Sequence, residues 1–240
     1  MFSFLLAMRP VKLTPSMLSF LWEDCPRCFW LRARRGLRRP WLPFPSVFSR
    51  YHDLLEAYFA DRCPSALDPS LPAGTCVHDE AWVASRVLYL DDVPVPFRFK
   101  GRVDHLMAFA DGTWGIIDYK TTGQSTANVR KYGRQLHAYA WALEQAAPDT
   151  LHRAPITRMG LLCLNPAELT DFCSGHHATV QLTPTWVEVP RDDAAFAQFL
   201  AEALALLAEP DPPGAGSNCE ICNYTRRRMR LERNLQHARS

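Results

Sequence analysis

No stretch of the chain is apolar for long enough to cross a membrane as a helix. The opening segment, Met1 to Met8, is apolar but lacks a basic lead-in and is short for a signal core. A secretory leader is therefore not expected, and Met8 is itself a candidate start. No segment recurs, which argues against solenoids and propellers. The net charge of only +2 says little about partners. With no leader expected, the protein is expected in a reducing cytoplasm, where its eight cysteines favour metal binding over disulfides if their spacing suits it. What the chain does have is 240 residues, 48% of them hydrophobic, enough to bury one large core as a single domain, 1–240.

The most informative residues lie mid-chain. Gly101-x-x-Asp104 is followed, after an Asp111-Gly112 turn, by Ile116-Ile117-Asp118-Tyr119-Lys120, and then by Gln135-x-x-x-Tyr139 on an expected helix. Alternation along Thr113 to Lys120 places Asp118 and Lys120 on one strand face with Trp114 and Ile116, and Ile117 and Tyr119 on the other. Hairpin register decides whether Asp104 joins them. A two-residue loop sets Asp104 opposite Tyr119, on the wrong face, whereas a three-residue loop, Ala110-Asp111-Gly112 with the glycine left-handed, sets it opposite Asp118. The second register keeps the polar trio together and is the one expected. Two carboxylates suit Mg²⁺ or Mn²⁺, and a lysine beside them can orient water or offset negative charge, which points to phosphodiester hydrolysis. Taken alone, Asp-x-Lys is short enough to be an ordinary solvated hairpin; the flanking motifs shift the balance.

Gly-x-x-Asp, Asp-x-Lys and Gln-x-x-x-Tyr in this order resemble the PD-(D/E)XK nuclease superfamily, specifically the RecB-like branch that includes the CRISPR adaptation exonucleases. Leu13-Thr14-Pro15-Ser16-Met17-Leu18 and Cys25-Pro26-Arg27 are similar to that branch's opening segment. The resemblance implies metal binding by Asp104 and Asp118, catalysis by Lys120, and a helix bordering nucleic acid that carries Gln135 and Tyr139. Packing of Tyr139 in the core beside Leu136 and Leu143 is the competing reading of that helix. The resemblance also implies an upstream ligand, for which the candidate is His52 in an amphipathic segment with Tyr51, Leu55, Tyr58 and Phe59. Asp53 and Glu56 are alternatives, and the family glycine a turn earlier is missing, since Pro43 to Arg50 contains none. The implied substrate is DNA with single-stranded or free ends. A non-catalytic nucleic-acid-binding or partner-recruiting module of the same fold is the alternative, as is a zinc-stabilised structural protein.

Cys25-x-x-Cys28 and Cys219-x-x-Cys222 form a two-plus-two set, each pair able to chelate one centre and so to join 13–40 with 210–230. Related nucleases with an iron–sulfur cluster also draw ligands from both termini, usually one early and three late. A four-iron four-sulfur cluster is thus implied, with Zn²⁺ as the alternative, although no cysteine follows Cys222 here. Cys63, Cys76, Cys163 and Cys173 lack such spacing. Arg32, Arg34, Arg35, Arg38 and Arg39 follow the first pair, and Arg226, Arg227, Arg228, Arg230 and Arg233 the second. A shared centre would make these runs neighbours and a phosphate-attracting surface.

The expected fold is α/β, a mixed central sheet with flanking helices in a restriction-endonuclease-like core. Helices are expected at Pro15 to Arg35 with a break near Pro26, and at Phe48 to Arg62, Val129 to Ala147 and Asp192 to Leu207. Strands are expected at Ser85 to Leu90, Pro96 to Phe109, Thr113 to Lys120, Thr157 to Leu164 and Ala178 to Val189. Pro64 to Pro72 and Pro210 to Gly216 read as loops, the latter returning the chain to the first cysteine pair.

Overall fold

A computed structural model of the protein describes residues 9–40, 45–77, 81–91, 93–121, 126–173 and 177–237; the Met1 to Met8 segment lies outside them. The strands are β1 (Val11–Leu13), β2 (Gly74–Val77), β3 (Trp82–Ala84), β4 (Leu88–Leu90), β5 (Val93–Arg102), β6 (His105–Phe109), β7 (Trp114–Lys120), β8 (Ile156–Cys173) and β9 (His177–Glu188). They divide into two mixed sheets. In the first, β5 pairs in parallel with β1 and antiparallel with β3 and β4; the second runs β2-β6-β7-β8-β9, with β7 and β8 parallel.

The helices are α1 (Trp22–Asp24), which continues a π-helical turn at Met17–Leu21, then α2 (Pro26–Arg35), α3 (Ser46–Phe59), α4 (Thr126–Glu144), α5 (Asp193–Ala208) and α6 (Glu220–His237). The expected break falls at Cys25, which is extended (φ −168°, ψ 114°) because the Pro26 ring excludes the helical conformation from the residue before it. Gly36, left-handed at φ +68°, ends α2, and its N–H reaches the Arg32 carbonyl.

One expected strand, Pro96 to Phe109, is interrupted at Val103 and Asp104. The reason is that β5 belongs to the first sheet and β6 to the second, so the chain crosses between them there. Ser85 to Leu90 is likewise divided. Ala84 pairs with Lys100, Leu88 with Phe97, and Ser85 between them bridges to Ala146 at the end of α4.

The apolar residues of β7 are buried on both faces of the sheet, as the Gly115-Ile116-Ile117 run suggests. Ile116 belongs to the main core with Phe97, Phe99, Leu136, Leu143 and Leu204, and Ile117 and Tyr119 to a second core with Phe59, Met107 and Leu162. Trp141 of α4 and Phe196 of α5 stack edge to face at 5.2 Å, and Phe196 lies 6.1 Å from Phe99. The end of β7 therefore lies between α4 on one face and α3 on the other.

Candidate active site and cysteine centre

The β6–β7 hairpin has the three-residue loop. Phe109 N–H donates to Thr113 O at 2.9 Å, Gly112 N–H to Phe109 O at 3.0 Å, and Gly112 sits at φ +85°, which a side chain would oppose. Pairing runs from Ala108 with Trp114 to His105 with Ile117, so one further step sets Asp104 beside Asp118. Asp104 is not itself in a strand. At the crossing between sheets its Oδ2 accepts the Tyr119 N–H at 3.0 Å, and its Oδ1 faces His52 Nε2 of α3 at 3.4 Å.

The other imidazole nitrogen of His52 lies 3.4 Å from Glu56 Oε1, one helical turn on. Glu56 thus stands behind His52, and Asp53, which lines the same cleft as His52, lies 3.9 Å from Arg50. The Asp104 hydrogen bond leads in raising His52 above the ordinary imidazole value; burial opposes it, and the charges of Asp104 and Glu56 add to it.

Asp118 is 1% exposed. Lys120 Nζ forms an ion pair with its Oδ2, and Gln135 Nε2 of α4 donates to its Oδ1 at 3.0 Å. Burial is the largest influence on its carboxyl; with the Asp104 charge added it outweighs Lys120 and pushes the group up to about 7. Asp104 moves the other way: burial raises it, but His52, Lys120 and the Tyr119 N–H together hold it below the usual carboxylate range. Burial alone would lower Lys120, and the two aspartates outweigh that and raise it. Hard oxygen donors beside an imidazole match a divalent cation. Among the described residues His52, Asp104 and Asp118 do not form a group as tight as that of the four cysteines, and Lys120 and Gln135 contact the Asp118 oxygens.

Gln135 and Tyr139 share one face of α4. They are 6% and 5% exposed, and Tyr139 OH donates to the Arg102 carbonyl at 2.5 Å. Tyr139 packs in the main core with Leu136 and Leu143, and Gln135 donates to Asp118. Gly101 has a packing reason: a Cβ there would lie 2.8 Å from Pro15 Cδ and 3.0 Å from Tyr139 Cε1.

Around the carboxylates is a cleft of about 380 Å³ lined by Tyr51, His52, Arg102, Asp104, Tyr119 and Lys120, among others. Arg102 was not singled out from the sequence, Tyr51 was read there only as part of an apolar helix face, and Tyr132, whose ring lies 4.7 Å beneath Lys120 Nζ, was not singled out either. Tyr132 could have been found by the helical repeat Tyr132, Gln135, Tyr139, which shares one face of α4.

Cys25, Cys28, Cys219 and Cys222 also come together, all four sulfurs within 4.8 Å of one another. The Pro210 to Gly216 loop does return to the first pair: Arg27 donates to Pro213 O at 3.2 Å and Gly216 N–H to Cys25 Sγ at 3.2 Å. The two arginine runs become neighbours, with Arg38, Arg39 and Arg226 lining a cleft of about 600 Å³ beside Cys28 and Cys222. Cys76 and Cys163 are buried, Cys63 is exposed, and the side chain of Cys173 lies outside the described residues.

The family model of the PD-(D/E)XK nuclease superfamily matches residues 74–227, which spans β2 to α6 and includes the whole hairpin. The chain belongs to that superfamily. No curated protein matches it significantly. Among solved structures, the crystal structure of SSO0001 aligns with a TM-score of 0.43 at 15% identity, over 85% of this chain and 80% of that one. No described helix is long and apolar enough to cross a membrane.

Proposed function

We propose that the protein is a divalent-metal-dependent deoxyribonuclease of the RecB-like branch, acting at single-stranded ends or flaps. The observation that carries this reading is the meeting of Asp104 and Lys120 in the wall of one cleft with the buried Asp118 paired to Lys120 behind it, on a hairpin whose loop sets their register. Asp104, Asp118 and His52 would hold Mg²⁺ or Mn²⁺, which supplies Lewis-acid polarisation of the phosphodiester and a more acidic bound water. Lys120, paired with Asp118, orients the attacking water or offsets charge developing on the phosphoryl oxygens. Gln135 holds the Asp118 carboxylate in place, and Glu56 fixes the His52 ring so that Nε2 faces the cleft. Arg102 on the rim and the arginine-lined cleft beside the cysteines suit the phosphate backbone. The free thiols support a reducing compartment such as the cytoplasm.

The test is cleavage of end-labelled single-stranded, blunt duplex, flap and closed circular DNA, and of RNA, with Mg²⁺ or Mn²⁺. Single strands and flaps should be shortened, and closed duplex should survive. Binding without cleavage of any substrate in either metal would favour the non-catalytic module, and cleavage confined to RNA would overturn the substrate.

A further inference from the structure

The four cysteines pose a question that the nuclease site does not answer, namely what their spacing accepts. Cys28 Sγ lies 3.6 Å from Cys222 Sγ and 3.8 Å from Cys219 Sγ, and Cys25 Sγ lies 3.8 Å from Cys222 Sγ. Four thiolates around one zinc ion, each at about 2.3 Å in a tetrahedral arrangement, stand about 3.8 Å apart. In a four-iron cluster each thiolate binds a different iron, which holds the ligand sulfurs farther apart than ligands sharing one ion. The resemblance implies such a cluster, and the sulfur cage does not fit it.

We infer that Cys25, Cys28, Cys219 and Cys222 hold a single tetrahedral Zn²⁺, as a redox-inert staple between the two ends of the chain. Cys28, in α2, and Cys219, immediately before α6, are both buried, and Leu21 and Ile221 pack against the cysteine cluster. The returning loop is seated closely beside it. There, a Cβ on Gly216 would lie 2.9 Å from the Asp24 carbonyl, so only glycine lets the backbone N–H come within 3.2 Å of Cys25 Sγ.

The surroundings answer the charge of the centre. A tetrathiolate zinc carries two net negative charges, and Arg39, which also pairs with Asp24 at 2.9 Å, places its guanidinium 3.6 Å from Cys219 Sγ. Two-plus-two chelation leaves no position open, which is the arrangement of a structural ion and not of a catalytic one. The centre uses none of the carboxylate residues, so its metal can be settled whether or not the protein cleaves DNA.

The experiment is metal and sulfide analysis of the full chain, purified anaerobically from iron-supplemented cells, followed by attempted reconstitution with ferrous iron and sulfide. About one zinc per chain, no labile sulfide and no brown colour before or after reconstitution are expected. Exchange with Co²⁺ should give the intense visible absorption of a tetrahedral tetrathiolate, and Cys28→Ser should weaken that band. A stable brown species with about four irons and matching sulfide per chain would overturn the inference. So would a metal-free protein that melts at the same temperature with and without added zinc. If Cys28→Ser does not fold, the cobalt spectrum of the unaltered chain decides the ligand set.

Discussion

Asp118 is a carboxylate that water does not reach, held by an amide on one oxygen and an ammonium on the other. Gln135→Ala would leave Oδ1 without its donor, and an unsatisfied buried acceptor costs about 1–3 kcal/mol. We expect a fall in denaturant midpoint together with a loss of cleavage rate; unchanged stability and rate would show that Gln135 does not hold Asp118. From the sequence alone, alanine at this position would be expected to weaken nucleic-acid handling and leave stability intact. The spacing Gln135-x-x-x-Tyr139 does place both residues on one helix face, but burial is a property of what packs against that face. The strand that supplies the Tyr139 partner, Arg102 of β5, is distant in sequence and invisible to local periodicity. Likewise His52 and Glu56 read locally as an i, i+4 pair, whereas the approach of His52 to Asp104 across 52 positions required the fold.

At the scale of elements, the hairpin was legible because a turn has few solutions: Asp111-Gly112, a required left-handed residue and alternating faces leave one register that keeps the polar residues together. The short strands β1 and β2 were not legible. They are three and four residues long and exist through pairing with β5 and β6 rather than through their own pattern. α6 was hidden for another reason: its arginine run reads as solvated charge, and none of its residues after Cys222 is buried.

The junction of α4 and α5 yields a pH prediction. His137 Nδ1 lies 2.7 Å from the Gly133 carbonyl and Nε2 2.9 Å from the Asp192 N–H, an arrangement that assigns the proton to Nδ1 and leaves Nε2 accepting. Burial, the largest influence, lowers this imidazole below its usual 6.5. A lowered histidine contributes stability that is present above the unfolded-state value and lost as pH falls below 6.5. Thermal unfolding should therefore show a decline below that pH which His137→Gln reduces; a pH profile unchanged by the substitution would refute the assignment.

For the whole molecule, the cysteine centre joins residues almost two hundred positions apart, so its loss acts on the closure of the entire chain. Cys25→Ser and Cys219→Ser should lower the unfolding temperature by similar amounts, and the double variant by little more than either, because both open the same ring. Additive losses would mean that the two pairs stabilise their own ends separately. The spacing of the cysteine pairs and the Pro210 to Gly216 loop foretold the gathering of the four cysteines, whereas the ion inferred for them rests on sulfur distances that spacing does not encode.

In the proposed function, the hairpin carboxylates and Lys120 cut phosphodiester bonds. The most direct test compares the unaltered protein with Asp118→Asn on end-labelled single-stranded DNA in Mg²⁺ and Mn²⁺, with circular dichroism and unfolding temperature recorded on the same preparations. Metal-dependent cleavage by the unaltered protein is expected, and none above background by Asp118→Asn, whose fold is retained because the substitution removes a charge with little change of shape. Cleavage by a folded Asp118→Asn preparation at the unaltered rate would contradict that function.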